Sequence, residues 1–150
     1  MSERPVVELA GLRRRLAALV YEGLLLVGVL ALLYLVPNLI YSMIVEAAPA
    51  GWFGWLHILV ALGAYFLFYW CRSGQTLAMQ TWRIRLVTAE EGKPVSWRQG
   101  LLRYALAWPS VCLFGAGLWW ALIDRDRQFA HDRLARTAII LLPAGQKMAA

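Results

Sequence analysis

Three long apolar runs, at about residues 16–40, 52–70 and 101–123, constrain this chain more than any other feature of it. The first covers about 25 residues, which as a helix exceeds the roughly 30 Å of a bilayer core and allows a tilted crossing. Pro37-Asn38 is expected to break its far end, because proline cannot continue the helical ladder. Residues 41–51 (YSMIVEAAPAG) then form a short connection without Lys or Arg. The second run has Trp52 and Trp55 at one end and Trp70 at the other. As a helix that spacing is about 27 Å, so the rings fall at the two interfacial belts of a membrane. The third run has Arg103 near its start, Pro109 inside it, and Gly115 and Gly117 beyond. It is expected to be kinked or re-entrant rather than straight. Hydrophobic residues make up 61% of the chain, against roughly 45–50% in a soluble domain, so lipid must be part of its solvent.

Charge sets the topology. The chain has 15 Lys+Arg against 9 Asp+Glu, a formal net charge of +6. These cations flank the apolar runs and do not interleave with aromatics in a soluble module, which argues for membrane flanks and against nucleic acid. Arg4, Arg13, Arg14 and Arg15 put the N-terminus in the cytoplasm, the 41–51 connection, with no Lys or Arg and one acid, Glu46, goes outside, and the six basic residues of 72–103 go inside. Arg13–Arg15 before an apolar stretch also resembles the start of a signal peptide. However, the run is longer than the usual roughly 7–15-residue core and Glu22 interrupts it, so a retained first helix is expected. A straight third span would leave Arg125, Arg127, Arg133 and Arg136 outside. A hairpin would return the tail to the cytoplasm, and that alternative is favoured, with non-helical backbone at depth covered by protein.

Between and after the runs, Trp82–Val87 alternates apolar and basic residues and Thr137–Leu142 is β-type. The two are expected to pair beneath the membrane, which requires an inside C-terminus. Ser96, three residues before Gln99, has the spacing of a capping box for a helix starting near Trp97. The expected fold is thus an all-α integral membrane protein. It has two clear transmembrane helices, a third kinked or re-entrant apolar segment and short cytoplasmic β-type segments. A lead (1–11) and a polar tail (143–150) flank a membrane domain at 12–142.

The polar residues in and beside the runs are the functional candidates. Arg15 and Glu22 lie two turns apart on one helical face, about 10 Å along the axis. A carboxylate in an apolar run must be protonated, paired, or turned to water or protein. It is either a structural ion pair or polar helix contact, or a proton- or cation-responsive group on a transport path. Asp124, Asp126, His131 and Asp132 form a second group; His131-Asp132 could bind a metal or relay protons, but the spacing matches no metal signature, and solvated charge at a membrane edge is the plain reading. Gln75 and Arg103 are secondary candidates. Arg15, Glu22 and the His131-Asp132 pair are expected to form one cluster, with Arg15 between the two acids. His57 reads as an interfacial or bundle contact, and Cys71 and Cys112 as small apolar side chains. Gly23, Gly28, Ala61, Ala64, Gly115 and Gly117 read as points of close helix approach. No catalytic arrangement is visible, so an enzyme is the weakest class; no metal or cofactor is expected.

Three segments in order resemble one family. They are Arg14-Arg15-Leu16-Ala17-Ala18 followed by Glu22; Gly74-Gln75-Thr76-Leu77-Ala78-Met79 with Trp82-Arg83-Ile84-Arg85-Leu86-Val87; and His131-Asp132-Arg133-Leu134-Ala135-Arg136-Thr137. Over roughly residues 8–142 the chain resembles the RDD family of bacterial membrane proteins, named for one Arg and two Asp. The family Arg falls on Arg15, its first Asp on Glu22 and its second on Asp132. Glu22 departs from the pattern by one methylene, which keeps charge and proton capacity but alters a tight ligand geometry. The resemblance implies a multi-span bacterial inner-membrane protein with a role in transport. The expected function is a small transporter or permease-like protein for cations or protons. It would act as a homo-oligomer, since three short spans hardly enclose a polar path alone. The alternative is a non-transporting membrane partner or assembly factor for another membrane complex.

Overall fold

The protein is described by a computed structural model covering residues 8–113, 115–125 and 128–143. The first apolar run forms one rod, Leu12–Val45, made of α1 (Leu12–Leu30), a π-helical turn (Ala31–Leu35) and α2 (Val36–Val45). The rod does not break at Pro37. The wider turn just upstream absorbs the ladder position that the missing proline N–H would interrupt, and Asn38 Nδ2 donates to the Tyr34 carbonyl (2.7 Å). The connection therefore starts only at Glu46, which caps α2 in the left-handed region (φ 55°). α3 (Gly51–Arg72) returns. Both helices are long and apolar enough to cross a membrane. Met43 and Ile44 are 74% and 76% exposed, the mark of a surface covered by lipid or by another protein.

α5 (Trp97–Cys112) packs along α3. Its start is the capping box of Ser96 and Gln99. The fit depends on glycine: a Cβ on Gly63 would lie 3.2 Å from the Tyr104 ring, and one on Gly100 would lie 3.1 Å from Leu67. Tyr104 also donates its hydroxyl to the Leu59 carbonyl (2.6 Å). Pro109 lies within α5 without ending it. The helix gives way at Leu113, and α6 (Ala116–Ile123) begins after Gly115 at φ 71°. A Cβ on Gly117 would overlap the Ser110 side chain. In a straight helix those two positions stand about 10 Å apart, so the third apolar run turns sharply here.

The remaining elements form a repeat that the sequence does not advertise. α4 (Leu77–Thr81) is followed by Trp82, Arg83 and β1 (Ile84–Thr88); α7 (Ala130–Leu134) is followed by Ala135, Arg136 and β2 (Thr137–Leu141). Arg83 and Arg136 both sit at φ 52°. The closing hydrogen bonds correspond: Trp82 N to Ala78 O matches Ala135 N to His131 O, and Arg83 N to Gln80 O matches Arg136 N to Arg133 O. β1 and β2 pair antiparallel from Ile84↔Leu141 to Thr88↔Thr137, with Leu86↔Ile139 at the centre. That register relates the two units by a local two-fold axis through the central pair. The lead also takes part: Ala10 N donates to the Ile139 carbonyl (3.0 Å) and Leu141 N to Glu8 O (2.8 Å), covering an edge of the sheet. The core beneath the helices is built from Ala18, Trp70, Met79, Ile84, Leu86 and Ile139.

Candidate functional site

Glu22 is buried on α1, 7% exposed, and is held by hydroxyls. Tyr65 on α3 donates to Oε1 (2.8 Å). Thr76, which caps α4 by accepting from Met79 N, donates to Oε2. No cation is paired with Glu22 among the described residues. Thr76 is aimed by the turn before it. Gly74 stands at φ 71°, and a Cβ there would lie 2.7 Å from the Leu86 carbonyl. Gln75 Nε2 donates to the Ile84 carbonyl (2.8 Å). Gln75 thus acts on the backbone and does not face the site.

Asp132 is fully buried on α7. Its partner is Arg103 of α5, whose Nε and Nη2 reach Oδ1 at 2.8 and 2.6 Å. The expected placement of Arg15 between the two acids is therefore corrected. α7 packs on α5, which brings Arg103 to Asp132, while Arg15 lies over the Phe129 ring (5.6 Å). Arg103 also covers the Trp70 ring at 4.2 Å, a favourable face for a desolvated guanidinium. His131 stacks on Phe129 and has its Nδ1 3.1 Å from Ser110 Oγ. Burial pushes the His131 imidazole down to about 4; nearby Asp132 opposes this and Arg103 adds to it. It is therefore neutral at physiological pH.

Arg15, Glu22, Arg103 and His131 all line one cavity of about 300 Å³; Asp132 stands behind Arg103. The walls are otherwise mostly apolar and come from α1 (Leu19, Leu26), α3 (Phe66, Trp70) and α5 (Trp108). Arg15 is 3% exposed, yet its Nε and Nη1 meet no hydrogen-bond acceptor among the described residues.

Other candidates lie elsewhere. Asp124 pairs with Arg133 and accepts from Gln128 N (3.1 Å), closing the turn before α7. Asp126 is outside the described residues. His57 contacts Asn38 (3.1 Å) and the Tyr34 ring, tying α3 to α2. Gly23 and Gly28, expected at close approaches, are open: a Cβ at either meets nothing within 4 Å. The sequence reading missed Tyr65, Phe129 and Ser110 as neighbours of the site. It quoted Thr76 only as part of a motif, although Thr before an apolar Leu-Ala-Met stretch is a cap signal.

The family model described as RDD family matches residues 9–136 of the chain. No curated protein and no solved structure matches it.

Proposed function

The chain belongs to the RDD family, and from that premise we propose that it is a multi-span inner-membrane protein acting as a small transporter for protons or cations. The observation that carries this reading is Glu22: a carboxylate within a span, on a cavity wall, bonded to two hydroxyls and ion-paired with no cation among the described residues. A hydroxyl donates to a carboxylate and accepts from a carboxylic acid, so Glu22 can exchange a proton without losing its partners. Orientation follows the cation asymmetry, with the N-terminus and residues 72–103 cytoplasmic. The β1–β2 pairing supports an inside C-terminus, and the sharp turn at Gly115 supports a re-entrant third segment. Oligomerisation would complete the enclosure of the path, and no catalytic step is assigned.

Proton or cation flux into vesicles carrying the purified protein tests the proposal. Wild type is expected to show pH-dependent flux, and Glu22→Gln to lose it while keeping its elution profile. Absence of flux in wild type would leave the second reading, an assembly partner in a larger complex. The buried Arg103–Asp132 pair, which has the character of structural glue, favours that reading.

A further inference from the structure

We propose that the cavity between α1 and α5 holds one acyl chain of an anionic phospholipid, with the lipid phosphate on Arg15. This rests on the membrane setting of the chain and not on ion transport. Three observations carry it.

The first is charge. Of the two arginines in the cavity, Arg103 is neutralised by Asp132. Arg15 lies over the Phe129 ring within electrostatic reach of Asp132 and Asp124, but its buried Nε and Nη1 groups have no hydrogen-bond acceptor among the described residues. A buried guanidinium left in that state is costly, and phosphate oxygens match its fork of donors. A zwitterionic head would bring its own cation close to the Arg15 guanidinium, whereas an anionic head brings only acceptors for its two open N–H groups.

The second is shape. Arg15 stands near the start of α1, where the chain enters the membrane, and the cavity continues past Leu19 and Gly23 to Leu26 on the same helix. From Arg15 to Leu26 is about 16 Å along the axis, close to one leaflet of a hydrocarbon core about 30 Å thick. The groove thus begins at a cation and runs one leaflet deep between mostly apolar walls, passing Glu22, whose oxygens are taken by Tyr65 and Thr76.

The third is volume, which decides between a lipid and a second copy of the chain. The cavity holds about 300 Å³. Two turns of helix, about 10 Å across and about 11 Å long, need more than twice that. A flexible chain segment fits where a helix does not.

Gly23 supplies a clean test. It lines the cavity, and a Cβ there meets nothing within 4 Å, so Gly23→Leu fills the space while leaving the packing intact and strengthening the helix. The purified full-length protein would be incubated with equal amounts of phosphatidylglycerol and phosphatidylcholine of identical chains, and retained lipid read by native mass spectrometry. Wild type is expected to keep one phosphatidylglycerol per chain with about tenfold preference, the value of one charge-assisted contact pair. Arg15→Gln should erase the preference, Arg15→Lys should keep part of it, and Gly23→Leu should remove both lipids at an unchanged melting temperature. Excess inorganic phosphate should displace nothing. Equal retention of the two lipids by wild type, full retention in Gly23→Leu, or displacement by free phosphate would overturn the proposal. So would a dimer that survives delipidation and is dissolved by Gly23→Leu, since the second copy would then be the occupant.

Discussion

In the α4–β1 unit the residue that opens the short helix is Thr76, and its hydroxyl goes to the Glu22 carboxylate. In the related α7–β2 unit the buried polar residue is Asp132, inside the helix, and it holds Arg103. The backbones correspond down to the left-handed arginine before each strand, yet the charges they manage are opposite in kind. Asp132 faces a permanent cation. Glu22 faces two hydroxyls, which serve either form of the acid. One scaffold used twice therefore presents a hydroxyl to a carboxylate and a carboxylate to an arginine, and both of those partners line the same cavity.

The sharpest way to break this comparison is at the fixed pair. Arg103→Met leaves Asp132 as an unpaired buried charge and is expected to cost about 3–5 kcal/mol of stability. The double variant Arg103→Met with Asp132→Leu should recover most of that loss, because apolar groups need no compensation. Thermal unfolding in detergent measures both. If the single and double variants unfold alike, the pair is not the anchor of the α7–β2 unit.

Next in size is the pH response of the same unit. His131 is held neutral by burial, down to about 4 from an ordinary 6.5. The unfolded chain binds this proton more readily, so the contribution is complete above about 6.5 and is lost as pH falls toward about 4, a change on the order of a few kcal/mol. His131→Gln keeps a polar partner for Ser110 and should flatten the acid limb of stability against pH. An unchanged limb in that variant would assign acid lability to another group.

The hydroxyl-bound side should respond more mildly. Thr76→Val removes both the α4 cap and a Glu22 partner and is expected to cost about 1–2 kcal/mol. Tyr65→Phe removes one hydrogen bond, about 1 kcal/mol. Glu22→Gln, which retains an acceptor for Tyr65, should cost no more than about 1 kcal/mol. A loss in Glu22→Gln as large as in Arg103→Met would mean that Glu22 carries a fixed charge after all, and the contrast between the units would collapse.

The sequence made the apolar architecture plain because lipid solvation leaves its mark on every residue of a span. It singled out Glu22, with Arg15 on the same face, for the same reason, since charge in an apolar context is rare; Arg103 entered only as a secondary candidate, and the reading of His131 and Asp132 as solvated charge is overturned by their burial. Arg15, Glu22, Arg103 and His131 line the cavity. Which cation meets which acid was not legible, because Arg103 reaches Asp132 only through the packing of α7 on α5. Pro37 misled for a local reason, as a π-helical turn upstream absorbs its missing N–H. Gly23 misled because a small residue marks either contact or space. The repeat stayed hidden because its two units share backbone positions and almost no side chains.

The smallest expected effect tests whether the units are equivalent at all. Arg83 and Arg136 each occupy the left-handed region, at φ 52°. A residue with a Cβ is held there at a cost of about 1 kcal/mol or more, which glycine avoids. Glycine also loses more chain entropy on folding, so the net gain from Arg→Gly should stay below about 1 kcal/mol. A β-branched residue fits the region worst, so Arg→Val should destabilise instead. What matters is the match between the two sites. If the turns are equivalent, Arg83→Gly and Arg136→Gly will shift the unfolding midpoint by similar amounts, and the two Val variants will do the same in the opposite direction. If one arginine contributes a contact of its own, its Gly variant will lose stability while its Val variant loses still more. The difference between the Gly and Val variants at one site isolates the backbone term from the side chain, and that difference should be the same at both. Unequal differences would mean that the shared dihedral angle is a coincidence of two unrelated turns.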